Sequence, residues 1–113
     1  DFPPEMASLA KVKTDEDGEL VAARFEVYIE GLELANAYDE LLDADVLAGR
    51  FDADNAERAQ QGLPVIPTDQ YLLAALPHMP ECSGIALGID RLLMVAMNKM
   101  KIDQVIAFPA EIA

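Results

Sequence analysis

The chain has 113 residues, 52% of them hydrophobic and 6% aromatic, with 21 acidic side chains against 8 basic ones and a net charge of −13. Its single cysteine and single histidine exclude an internal disulfide and a metal site built on several His or Cys ligands. No apolar run reaches the ~18 residues of a membrane-spanning helix, and the acidic balance opposes binding to nucleic-acid backbones or anionic membranes.

Asp1-Phe2-Pro3-Pro4 predicts an extended entry, because two prolines forbid regular structure there. Met6 to Lys13 predicts a short strand or an irregular link, and Thr14-Asp15-Glu16-Asp17-Gly18 an acidic turn. Val21 to Ile29 is rich in β-branched and aromatic residues; Glu30-Gly31 follows, then Leu32 to Tyr38. Two apolar runs around an x-Gly pair predict a β-hairpin. Asp43 to Gln61 predicts a helix with Asp43 or Asp45 as N-cap and Gly62 and Pro64 as its stop. Val46, Leu47, Phe51 and Ala59 form its loose apolar stripe, and its charged remainder places it on the outside. Thr68 begins a shorter helix with Tyr71, Leu72 and Leu76 as its apolar face, ended by Pro77 and Pro80. Ser83 to Ile89 predicts a strand. Asp90 then caps a helix from Arg91 to about Asn98, apolar almost all round and therefore buried. Lys99 and Lys101 sit near its end, where the helix dipole favours cations. Val105 to Phe108 predicts a last short strand, halted by Pro109.

The hairpin can be developed further. A two-residue turn at Glu30-Gly31 pairs Ile29 with Leu32 and Tyr28 with Glu33. Alternation then puts Val27, Ile29, Leu32 and Leu34 on one face, and Arg24, Glu26, Tyr28, Glu33 and Ala35 on the other. Glu26 and Glu33 become diagonal neighbours, roughly 7–8 Å apart at the backbone. Two carboxylates beside an arginine suit a hard cation such as Mg²⁺ that bridges to substrate phosphates. A solvated outer face with incidental glutamates is the other reading. Asn36 and Glu40 have the wrong parity for that face. A bulge near Ala35, or a strand end there, would bring Asn36, Tyr38 and Glu40 onto it.

A second string, Cys82-Ser83-Gly84-Ile85-Ala86-Leu87-Gly88-Ile89-Asp90-Arg91, joins a glycine-bearing strand to a helix that opens with arginine. Glycine lets a flat ligand approach the backbone, and the arginine can stack on a base or clamp a phosphate. Eased packing of a buried strand, with Arg91 as an ion-pair partner, accounts for the same string. No G-x-S-x-G elbow accompanies His78, so hydrolase readings are set aside.

GLELANAYDEL, then CSGIALGIDRLLM, then VIAFP resemble the C-terminal half of a class II aminoacyl-tRNA synthetase catalytic domain. The second string resembles that class's motif 3. Within the class the chain resembles the lysyl branch, above all its elongation factor P–lysine ligase family, through RFEVYIEGLELAN and PECSGIALGIDRL. The resemblance runs from about Phe2 to Ala113. It implies an α+β fold, an antiparallel β-sheet with flanking helices. It implies that residues 1–113 are a C-terminal fragment of such a domain, with motif 3 included and motifs 1 and 2 absent.

Residue by residue, it implies Mg²⁺ and ATP phosphates on Glu26 and Glu33, and ATP contacts at Leu34, Gly88 and Arg91, with Arg91 as the catalytic arginine. It implies an amino-acid pocket at Asn36, Tyr38, Glu40 and Ala86, with Glu40 near the substrate's ammonium groups. The implied reaction forms an aminoacyl-adenylate from ATP and (R)-β-lysine or lysine, and passes the acyl group to a lysine of elongation factor P. The implied protein is a cytoplasmic homodimer that needs no tRNA, and the fragment by itself is expected to be inactive. Ala86 and Ala35 stand where lysyl-tRNA synthetases carry glycine and agree with the ligase family, whereas Ala37 departs from both. An ordinary lysyl-tRNA synthetase and a non-catalytic synthetase-like binding subunit are the alternatives.

Overall fold

The computed structural model describes residues 1–110. The last three positions of the expected 1–113 domain lie outside the described residues. Glu30 and Gly31 take left-handed φ values of 52° and 81°. Two consecutive left-handed residues make a type I′ turn, whose twist matches that of the flanking strands. The turn joins β3 (Arg24–Ile29) to β4 (Leu32–Asp39). Ile29 pairs with Leu32 and Tyr28 with Glu33, the register expected from the turn. β5 (Ser83–Leu87) adds antiparallel to the other edge of β4, giving the order β3-β4-β5.

The first three residues of the predicted Val21–Ile29 strand behave differently. The strand breaks at Ala23, and its start becomes β2 (Leu20–Ala22), paired antiparallel with β1 (Val12–Thr14) across the acidic turn. Asp15 closes that turn by accepting hydrogen bonds from the Asp17 and Glu19 amides, at 3.0 and 2.9 Å. Backbone bonds from Ala23 to Lys11, Lys11 to Asp39 and Leu41 to Leu9 lace this small sheet to the end of β4. Phe2 joins the same ladder opposite Ala22.

α1 (Ala44–Gln60) starts at Asp43, whose carboxylate accepts from the amides of Asp45 and Val46. It ends at Gly62, with φ 71° and amide bonds from Gly62 to Ala59 and Leu63 to Arg58. The helix lies outside as expected, but of its predicted stripe only Leu47 is fully buried. α2 (Gln70–Ala75) is capped by Asp69 and runs into a 3₁₀ turn at Leu76–His78. Leu76 is buried, whereas Tyr71 is 91% exposed.

α3 (Ile89–Ala96) packs against β4. Gly88 is its N-cap, with no side-chain bond, so Asp90 does not cap it. Asp90 sits in the first turn, where its charge opposes the positive end of the dipole. Asn98, at φ 52°, ends the helix with bonds from Asn98 to Val95 and Lys99 to Met94. The expected burial of α3 is not observed: among its residues only Met94 is buried, and Ile89 and Leu92 are exposed. An apolar helix is covered only where a second surface reaches it, and among the described residues β4 covers one side. Val105 to Phe108 is not a strand; a 3₁₀ turn at Ile102–Gln104 and irregular chain take its place. A strand needs an edge to pair with, and this segment pairs with none among the described residues.

The core is built largely from alanine. Ala7, Ala10, Ala22, Ala23, Ala35 and Ala37 are buried with Leu34, Leu47, Leu76 and Met94. Phe25, Val27, Ile85 and Leu87, on the face of the three-stranded sheet opposite Glu26, remain exposed. No helix among the described residues is long and apolar enough to cross a membrane.

Candidate functional site

The hairpin carries a bulge. Val27 pairs with Ala35 and Tyr28 with Glu33, so Leu34 is an extra residue in β4. The slip moves every residue beyond it to the opposite face. Glu26 now pairs with Asn36, and Arg24 with Tyr38. Both pairs share the face that holds Tyr28 and Glu33. Ala35, which simple alternation put on that face, pairs with Val27 and Leu87 on the other. On β5, Ala86 stands opposite Asn36 and Gly84 opposite Tyr38. One sheet face therefore gathers Glu26, Glu33, Asn36, Tyr38 and Ala86.

Glu33, Leu34, Asn36, Ala86, Gly88 and Arg91 line one cavity of about 350 Å³. Two long-range bonds close it. Gly88 N–H donates to the Leu34 carbonyl at 2.8 Å, which joins the start of α3 to the bulge. Arg91 Nη1 donates to the Glu33 carbonyl oxygen at 2.8 Å and lies 3.7 Å from the Glu33 carboxylate. The guanidinium is held mainly through backbone, which leaves its other donors free to meet an anion.

The Glu26 carboxylate is gripped at both oxygens, by Arg24 Nη2 and by the Tyr28 hydroxyl. Tyr28 is raised above the ordinary phenol range, first by its hydrogen bond to Glu26, then by desolvation and the charges of Glu26 and Glu33. Its hydroxyl stays protonated and donates. Asn36 Nδ2 donates to the Tyr38 hydroxyl at 2.9 Å.

Glu40 continues the row. Its amide donates to the Cys82 carbonyl at 3.0 Å, and its carboxylate crosses onto β5 so closely that a Cβ on Gly84 would overlap Glu40 Oε1. Gly84 is thus explained by Glu40 within the chain. A Cβ on Gly88 meets Arg91 only at ordinary contact distances of 3.5–3.6 Å.

Glu26 and Glu33 put two carboxylates on one face, hard-oxygen donors of the kind a divalent cation takes, with each Glu26 oxygen also accepting a hydrogen bond, from Arg24 and from Tyr28. Among the described residues, no group of three or more His, Cys, Asp or Glu side chains is placed to hold a metal unaided. A cation here would arrive with an anionic ligand.

The family of class II tRNA synthetases (D, K and N) matches residues 1–112. The chain belongs to this family. Two relatives are each 51% identical over 113 residues, covering 99% of this chain and 34% of their own length. Both are named elongation factor P–(R)-β-lysine ligase, one from Yersinia pestis (strain Pestoides F) and one from Yersinia pseudotuberculosis serotype O:1b (strain IP 31758). The chain spans about a third of the length of these curated relatives. The mixed α and β architecture with antiparallel sheets agrees with the α+β fold expected of such a synthetase domain.

Within this synthetase fold, sequence reasoning set Arg24 only beside the carboxylates, gave Tyr28 no role, and read Gly84 only as part of a glycine-bearing strand, although all three touch residues it selected. The signal for Arg24 and Tyr28 was present, since both share the parity of Glu26. For Gly84 the glycine itself was visible but its neighbour was not, because the contact with Glu40 crosses between strands. Gly84→Ala is expected to displace the Glu40 carboxylate. The ideal Cβ position at Gly84 lies within the space of Glu40 Oε1, so the carboxylate must swing away from β5 while the backbone pairing of Gly84 with Tyr38 stays. A crystal structure of the Gly84→Ala variant checks this.

Proposed function

We propose that the whole protein activates (R)-β-lysine, or lysine, with ATP and transfers the acyl group to a lysine of elongation factor P. The single observation that carries this is the clustering of Glu33, Asn36, Ala86, Gly88 and Arg91 around one cavity. The names of relatives 51% identical to the chain support the same reading. Residues 1–113 are read as the C-terminal part of the catalytic domain, with motifs 1 and 2 supplied elsewhere in the protein. A cytoplasmic homodimer is part of the proposal through the family.

In this reading Arg91, anchored on the Glu33 carbonyl, presents its free donors to the ATP phosphates and holds them as the amino-acid carboxylate attacks the α-phosphorus. Pyrophosphate leaves and an aminoacyl-adenylate remains. Glu26 and Glu33 would hold Mg²⁺, which when bound spreads the charge developing on the phosphates. Asn36, Tyr38 and Glu40 orient the amino acid, and Glu40 supplies the negative charge that meets an ammonium group. Ala86 puts a methyl group where the resemblance expects glycine in lysyl-tRNA synthetases, which narrows the pocket beside Asn36. The ε-amine of the acceptor lysine then attacks the acyl carbon; an amide bond forms as the acyl–phosphate bond breaks, AMP leaves and the amine proton passes to solvent. No protein nucleophile is needed.

Intact-mass analysis of elongation factor P, after incubation with the full-length protein, ATP and β-lysine, tests the proposal. A gain of one lysyl unit without tRNA charging is expected. Charging of tRNA with ordinary lysine would make the protein a lysyl-tRNA synthetase, and neither product would leave a binding subunit.

A further inference from the structure

Arg24 has no part in the mechanism above, yet it is the most elaborately held charge among the described residues. Its side chain is 9% exposed. The guanidinium lies against two aromatic rings, 4.5 Å from the centroid of Phe2 and 5.3 Å from that of Tyr38. Nη1 donates to the Met6 carbonyl at 2.9 Å. Nη2 donates to the Glu26 carboxylate and, at 3.2 Å, to Asn36 Oδ1. Nε is buried without a partner.

This is a poor arrangement for stability. A buried charge with an unpaired N–H is less favourable than an apolar side chain of similar volume. What the arginine provides is direction. A planar fork fixes the bearing of each acceptor it meets. By occupying Asn36 Oδ1 it turns the amide nitrogen toward the Tyr38 hydroxyl. The same nitrogen of Arg24 holds Glu26.

We infer that Arg24 is a positioning residue that sets the Glu26 carboxylate and the Asn36 amide together. One guanidinium thereby couples the nucleotide side of the site to the amino-acid side. The inference rests on the roles proposed above for Glu26 and Asn36. Lysine cannot substitute, because a single ammonium lacks the flat fork that meets two ring faces and three oxygens.

The test uses full-length protein, wild type and with Arg24→Lys or Arg24→Met. Isothermal titration measures binding of Mg²⁺-ATP and of β-lysine to each folded variant. Arg24→Met is expected to weaken both about 10–100-fold, the usual effect of removing a group that orients a ligand-binding side chain. Arg24→Lys should weaken both as well. A folded variant with a lower melting temperature and unchanged affinity for both ligands overturns the inference, as does weakening of one ligand alone. If Arg24→Met does not fold, Arg24→Lys is read by the same criteria.

A ligand-free readout separates this from the functional proposal. The Asn36 side-chain amide resonances should shift in Arg24→Lys, and unchanged resonances overturn the positioning role. A wild-type protein that binds neither ligand would overturn the functional reading, and the amide resonances would still decide what Arg24 does.

Discussion

Glu33→Gln in the full-length protein is expected to abolish amino-acid-dependent pyrophosphate exchange, by on the order of 10³-fold, while the fold stays intact. The magnitude follows from the several kcal/mol that a carboxylate-held cation contributes to a phosphoryl-group transition state, at one decade of rate for each ~1.4 kcal/mol. Glutamine keeps the shape and loses the charge. The local structure should survive, because Arg91 is anchored on the Glu33 backbone carbonyl at 2.8 Å and not on the carboxylate, which lies 3.7 Å away. That half-exposed ion pair contributes little to stability, at most about 1 kcal/mol. A normal melting curve with lost exchange is the expected pair of results. Unchanged exchange would remove Glu33 from the nucleotide site.

Arg91→Lys is expected to cut kcat/KM for ATP by about 100-fold with nearly unchanged stability. One guanidinium nitrogen is committed to the Glu33 carbonyl, and in the proposed reading the others meet phosphate. Bidentate, charge-assisted bonds are about twice as strong as neutral ones and carry geometry as well as energy. A lysine ammonium must choose between the anchor and the ligand, so the two functions separate. The Arg91 side chain is 46% exposed, and its truncation leaves no sizeable cavity. Initial-rate kinetics with ATP varied, beside a thermal melt, measures both. A rate equal to wild type would make Arg91 a structural tie between α3 and β4.

These two residues also show where sequence reasoning succeeds and stops. The Glu30-Gly31 turn was legible because Gly31 takes a left-handed dihedral without strain between two apolar runs, and a two-residue turn then dictates the register of its neighbours. The helix caps at Asp43 and Gly62 were legible for the same reason, since each acts within one turn of chain. The bulge was legible only as a requirement. Asn36 had the wrong parity, and nothing local distinguishes Leu34 as the extra residue. Helix α3 was misjudged because an apolar composition states a need for cover without stating what supplies it. Val105 to Phe108 failed similarly: β-propensity cannot create an edge to pair with.

The sequence by itself determined the local chemistry of this protein. It set the hairpin turn, the alternation that brings Glu26 and Glu33 to one face, the helix stops, and two strings specific enough to point to a synthetase family. Tertiary structure decided which of those residues meet. It inserted Leu34, turned Asn36 toward Arg24, laid Glu40 across Gly84, and brought Arg91 back 58 positions to the Glu33 carbonyl. The division has a physical cause. Dihedral preference and the two-residue strand period act over a few bonds, and so they are written in neighbouring residues. A shared cavity depends on hydrogen bonds and steric contacts between distant segments, and these exist only once the strands have paired.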